Sequence, residues 1–248
     1  MDSSELAASE RPFDQTAGEA AIAAVAELLA RTDRGGGETA LLTIRHGLTT
    51  ANAAQRTGAP EDELSPLGSA QARFGGQLLG EVGIDAAWVS PLRRTRQTAA
   101  LLLGERTLEP RFDPLCAERS YGELEGLTAE EVAERYPQVR HRVVQGVPFS
   151  INPPGGESMD DLGTRAARLL EAILAEQRGQ TVLVVSHGNL LQQIHGRLRG
   201  LDPIAALGQP LEEIWNCSLN AFRVGPEGTA VEHVNAQLAP VNADFPLY

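Results

Sequence analysis

Two aliphatic runs, LLTIRHG at residues 41–47 and TVLVVSHG at residues 181–188, each end in a histidine followed by a glycine. Short unbroken apolar runs of this kind mark strands buried on both faces, which belong to parallel sheets. Right-handed crossovers make such strands run the same way, so their carboxyl ends share one edge. His46 and His187 are therefore expected together at the edge where open α/β sheets place their ligands. The helix following each strand would also point an N-terminus, with unpaired N–H groups and partial positive charge, at that edge.

The rest of the chain fits this frame, because strand-like and helix-like segments alternate as in an α/β domain. Strands are predicted at Ala40 to Ile44, Ala86 to Val89, Thr107 to Phe112 and Thr181 to Val185, with a closing pair at Ser218 to Val224 and Ala230 to Val234. Helices are predicted at Ser65 to Val82, Pro91 to Leu103, Ser158 to Gln177 and Asn189 to Leu198. Ser65 and Ser90 each precede a proline and read as helix caps, and Ser158 with Asp161 resembles a capping box. Residues 1–38 read as an N-terminal extension whose helix, Ala17 to Arg31, puts Ile22, Val25, Leu28 and Leu29 on one face and would dock on the domain or on a second subunit. Residues 39–235 read as the catalytic domain, with a looser insertion at about 113–157 holding one short helix near Ala129 to Arg142. Residues 236–248 read as a tail, whose apolar ending FPLY could serve a homodimer contact.

Charge limits the partners. All 21 basic residues are arginine, which removes lysine chemistry, and 33 acidic residues bring the net charge to −12. Nucleic acid and anionic membrane surfaces are polyanions and are not expected partners. Cys116 and Cys217 show no metal-ligand spacing, the start MDSSELAASE is acidic where a secretory signal is basic, and the longest apolar stretch is too short to span a bilayer; a cytoplasmic protein is expected. Any anion bound must find a local positive pocket. The third strand, AAWVS, supplies one, since it hands over to PLRRTRQTA with Arg93, Arg94 and Arg96 in the first turn. With Arg45 these make a cationic site beside two imidazoles, and phosphate suits forked guanidinium donors.

RHG with Thr49 and Asn52, S-P-L-x-R-x-x-x-T-A at Ser90 to Ala99, the glutamate of AERSYGELEG, GGES and SHGN occur in this order. Together they resemble the histidine phosphatase superfamily, the phosphoglycerate mutase-like proteins, from about Leu41 to Phe222. The resemblance implies a three-layer α/β/α sandwich with a mostly parallel central sheet and an insertion over its carboxyl edge. It implies that His46 attacks phosphorus to form a phosphohistidine, while Arg45, Arg94, His187 and Asn52, with Gly188, hold the phosphoryl group. Glu118 matches the general acid, and Arg45 with Arg94 should depress the pKa of His46. No cofactor or metal is implied. His195 is expected to pack on its helix, and His141 and His233 to lie at the surface.

The branch of the family is read from residues around the leaving group. Thr57 and Gly58, Arg119 and Tyr121 look like mutase contacts to a sugar acid, and they favour a small acidic or hydroxylated metabolite. The lysine that mutases carry after this stretch is replaced by Ala129, however, so a second phosphate site is weakened. The expected activity is a histidine acid phosphatase-type phosphomonoesterase releasing inorganic phosphate from a small phosphorylated metabolite. A mutase-like phosphotransferase and a noncatalytic binder of phospho-ligands or phosphoproteins remain the alternatives.

Overall fold

The computed structural model describes residues 15–237. The acidic start and the FPLY ending lie outside the described residues. Within them, six strands form one sheet in the order β3-β2-β6-β1-β7-β8. The strands are β1 (Thr39–Arg45), β2 (Ala86–Val89), β3 (Arg111–Phe112), β6 (Thr181–Ser186), β7 (Ser218–Val224) and β8 (Ala230–Gln237). β3, β2, β6 and β1 pair in parallel, whereas β7 and β8 continue the sheet antiparallel.

Every residue of β1 and β6 is buried, as the unbroken apolar runs require. Alternation along them divides the core in two. Leu41, Val182 and Val184 face α6 (Met159–Glu176) and α7 (Gly188–Leu198) with Leu169, Ile173, Leu191 and Ile194. Leu42, Ile44, Leu183 and Val185 face the opposite layer with Phe74 of α3 (Pro66–Leu78) and Leu102 of α4 (Arg93–Leu103). The three-layer sandwich follows from a sheet apolar on both faces. The helix at the start of the described chain, α1 (Gln15–Ala30), docks on this second layer, with Val25 and Leu28 fully buried. Burying two such side chains contributes roughly 1.5–3 kcal/mol each, enough to seat a helix of this length.

Several expectations need correction. Ser65 does cap α3, accepting from the Gly68 N–H at 3.0 Å. Ser90 is not the N-cap: α4 begins after Leu92, whose N–H donates to the Ser90 hydroxyl at 3.3 Å, and that hydroxyl also lies 2.7 Å from Nε2 of His187. The strand expected over Thr107 to Phe112 shrinks to two residues, because only Arg111 and Phe112 reach β2. In the insertion, α5 (Ala129–Arg135) is shorter than expected and is followed by a hairpin, β4 (His141–Val144) and β5 (Val147–Ser150). His141 is exposed, whereas His233 is half-buried, its ring stacked on Phe222 at 4.3 Å between ring centroids. No helix among the described residues is long and apolar enough to cross a membrane.

Candidate active site

Register brings the strand ends together. Arg45 pairs with Ser186, the His46 N–H donates to the Ser186 carbonyl at 2.9 Å, and the Ser90 N–H donates to the Val185 carbonyl at 3.0 Å. The next residues of the three central strands thus stand level, with the His46 and His187 rings 5.1 Å apart. Glycine after His46 has a steric cause: a Cβ on Gly47 would lie 2.4 Å from the Gly68 carbonyl oxygen, so α3 could not approach the strand end. The Gly47 N–H then donates to Oγ1 of Thr98 at 3.1 Å, tying the turn to α4.

His46 lines a small pocket that opens to solvent, together with Arg45, Arg94, Asn52 and Glu118. Its Nδ1 lies 2.8 Å from the Gly47 carbonyl and takes the donor role there, since a carbonyl can only accept, which leaves Nε2 with the lone pair. Burial first, then Arg94 and Arg45, hold this imidazole well below its usual 6.5. The arginines act as expected, but desolvation is the larger cause. Arg45 is pinned by donating to the Ile214 carbonyl at 2.8 Å, and burial brings it down to about 10. Arg94 donates to the Ala59 carbonyl at 2.7 Å. Its neighbours point elsewhere: Arg93 pairs with Glu63 and Arg96 lies over Phe112.

His187 is fully buried and does not line the pocket itself; it backs His46 and is held by Ser90. Burial, then Arg94, keep it well below 6.5 as well. Gly188 and Asn189 at the start of α7 do reach the pocket. The helix N-terminus itself is occupied by protein: the Asn189 and Leu190 N–H groups donate to the Glu118 carboxyl at 3.2 and 3.3 Å. Glu118, which also accepts from the Arg119 backbone N–H at 3.0 Å, is therefore held facing the pocket, and the Arg119 side chain turns away from it to Ser150.

The expected leaving-group contacts divide. Gly58 and Tyr121 line the pocket, and the Tyr121 hydroxyl accepts from Nδ2 of Asn189 at 2.6 Å. Thr57 and Arg119 do not line it: Thr57 donates to the Leu127 carbonyl, and Arg119 is buried, donating to the carbonyl and hydroxyl of Ser150. Arg119 is thus an anchor for the β5 hairpin. Its alternation with Glu118 and Tyr121 along an irregular loop gave no signal of direction.

Other contributors were missed in the sequence. Asp62, Phe149 and Ile214 line the pocket. Glu157 of the GGES stretch forks onto Arg165, whose Nη1 donates to the carbonyls of Leu115 and Ala117 at 2.9 and 2.7 Å, just before Glu118. A Cβ on Gly156 would lie 2.6 Å from the Ser120 carbonyl, so these two loops touch backbone to backbone. The GGES signature is thereby a brace for the Glu118 loop. Among the described residues, no group of three or more metal-ligating side chains comes together.

The profile of the histidine phosphatase superfamily (branch 1) matches residues 41–237. The chain is 31% identical over 212 residues to a 2,3-bisphosphoglycerate-dependent phosphoglycerate mutase of Rhizobium etli, covering 81% of this chain and 98% of that protein. It is 39% identical over 154 residues to a bifunctional protein of Mycobacterium tuberculosis, covering 61% of this chain and 42% of that longer protein. Among solved structures, a mycobacterial glucosyl-3-phosphoglycerate phosphatase superposes with a TM-score of 0.64 at 26% identity, over 74% of this chain and 92% of the other. An α-ribazole phosphatase from Shigella flexneri shares the fold at 24% identity and a TM-score of 0.67, over 81% of this chain and 97% of the other.

Proposed function

The chain belongs to the histidine phosphatase superfamily, and on that premise we propose that it is a phosphomonoester hydrolase working through a phosphohistidine, without a metal, on a small phosphorylated metabolite. The observation that carries this reading is His46: its Nδ1 is held by the Gly47 carbonyl, and burial with two guanidinium groups keeps the ring neutral. A neutral imidazole with a fixed tautomer is a competent nucleophile.

The Nε2 lone pair forms the bond to phosphorus as the bond from phosphorus to the ester oxygen breaks. Glu118, facing the same pocket, gives its proton to the departing oxygen and then takes one from the water that cleaves the phosphohistidine. Arg45 and Arg94, both buried at the pocket wall, stabilise the charge on the transferring group. The braced loop at 115–118 matters because proton transfer demands hydrogen-bond reach.

A mutase reading draws support from the Rhizobium etli relative. Against it stand Ala129 in place of a lysine and Arg119 turned into the hairpin. Incubation with p-nitrophenyl phosphate, with and without chelator, tests the main proposal. Turnover insensitive to chelator and lost in His46→Ala supports it, as does rapid-quench trapping of phosphorus on nitrogen. Interconversion of phosphoglycerates with catalytic 2,3-bisphosphoglycerate, outpacing hydrolysis, would favour the mutase.

A further inference from the structure

The pocket beyond the phosphoryl site has an unusual charge balance. Its lining holds two cations, Arg45 and Arg94, and both belong to the phosphoryl end beside His46. It also holds two carboxyl groups, Glu118 and Asp62. Asp62 sits on the 58–64 loop, where its Oδ2 accepts from the Ala59 N–H at 2.8 Å. Phe149 and Ile214 add apolar surface to a remaining lining that is polar but uncharged, with Thr49, Asn52, Tyr121 and Asn189.

The other arginines near the leaving-group end, Arg56 and Arg119, do not line the pocket. Arg119 is buried against Ser150, and Arg56 donates to the Gly126 carbonyl and pairs with Glu131. A carboxylate on the leaving alcohol would find Arg45 and Arg94 already engaged by the phosphoryl group and would face Asp62, so it would meet repulsion without a cation of its own. Of the small acidic or hydroxylated metabolites expected from Arg119 and Tyr121, this arrangement favours the hydroxylated ones.

Building on the phosphatase reading, we propose that the substrate is a phosphomonoester of an alcohol that carries no anionic group, that donates a hydrogen bond to Asp62, and that lays its carbon skeleton on Phe149 and Ile214. Hydroxyl-rich alcohols meet this description; phosphorylated sugar acids do not. Asp62 is then a specificity residue, and rejection of acids arises from an unpaired charge rather than from size.

Glycerol 3-phosphate and 3-phosphoglycerate make a matched pair of probes, differing in a hydroxymethyl group against a carboxylate. The wild type should hydrolyse glycerol 3-phosphate with a kcat/KM roughly tenfold or more above that for 3-phosphoglycerate, because an uncompensated charge is discriminated at this scale. Asp62→Asn keeps an acceptor for the Ala59 N–H and should pull this ratio toward one. Equal or better hydrolysis of 3-phosphoglycerate by the wild type would overturn the proposal, and so would a ratio unmoved by Asp62→Asn. Turnover of p-nitrophenyl phosphate, absent in His46→Ala, keeps the phosphatase reading separate: if that ester is cleaved while the ratio is reversed, only the substrate class is wrong.

Discussion

Two clusters of buried ionisable groups flank β1, and they treat charge in opposite ways. In the first, at the carboxyl edge, Arg45 and Arg94 crowd two imidazoles, and burial pushes each of the four toward its neutral form. In the second, between β1, α7 and β7, Glu213 accepts from both terminal nitrogens of Arg199 at 2.8 and 2.9 Å and lies 3.4 Å from Nδ1 of His195. His195 in turn meets Oγ1 of Thr43 at 2.8 Å, and His233 bridges Arg199 and Asn220. Burial alone would raise Glu213, but His195 and Arg199 bring it down to about 2. A cluster that completes its own pairs holds a fold together, whereas one that gathers like charge is poised for an anion.

The two are joined by the segment 213–217. Its Ile214 carbonyl accepts from Arg45, Nδ2 of Asn216 donates to the His46 carbonyl at 2.9 Å, and the Cys217 N–H donates to the Arg45 carbonyl at 3.1 Å. The paired cluster therefore holds the segment that holds Arg45 and His46.

This contrast is open to attack by substitution. The largest effect should come from His46→Ala, with kcat/KM on p-nitrophenyl phosphate falling by on the order of 10⁴-fold or more, as for other nucleophile deletions. Glu118→Gln comes next, at roughly 10²–10⁴-fold in kcat if it is the proton donor. Glu213→Gln should act the other way round, with stability lost before chemistry. Breaking a fully buried pair costs about 3–5 kcal/mol, and because the Arg199 side chain is 26% exposed the expected loss is nearer about 2 kcal/mol, read by urea denaturation. Arg165→Ala should lower kcat by roughly tenfold with little change in KM, since it loosens the Glu118 loop without touching the phosphoryl site.

The smallest effect is a pH dependence that separates the clusters. His46, His187, His195 and His233 are all lowered in the fold, His233 to about 4, so the unfolded chain takes up protons first as pH falls below 6.5. Their contribution to stability is whole above that pH and shrinks below it. Glu213, lowered to about 2, contributes above its unfolded pKa of about 4.3 and loses that contribution as pH falls through 2. The urea midpoint should thus begin to drop between pH 6.5 and 4.5, and this first drop should persist in Glu213→Gln. A midpoint constant down to pH 4.5 would refute the assignment of neutral buried histidines.

What could be read in the residues and what could not divide along the same lines. Arg45, His46 and His187 were legible because an apolar strand has one carboxyl end and a parallel sheet has one such edge. Arg94 was legible only through its place in the family pattern, since Arg93 and Arg96 offer the same chemistry within the same turn of helix. The β4–β5 hairpin escaped notice because its strands are short and half exposed, and an alternation of four residues is a weak signal. Asp62 and Asn216 escaped it because they reach the site from distant loops, through contacts no local period encodes.

By itself the sequence determined the central strands β1, β2 and β6, their common direction and hence the meeting of two histidines beside Arg45, since these follow from backbone geometry and hydrophobic burial alone. Only the tertiary structure decided where individual side chains on irregular loops point: Arg119 into the hairpin, Ser90 onto His187, Asp62 into the pocket. Loop direction is set by the particular carbonyls and surfaces each loop meets, and those exist only once the strands have assembled.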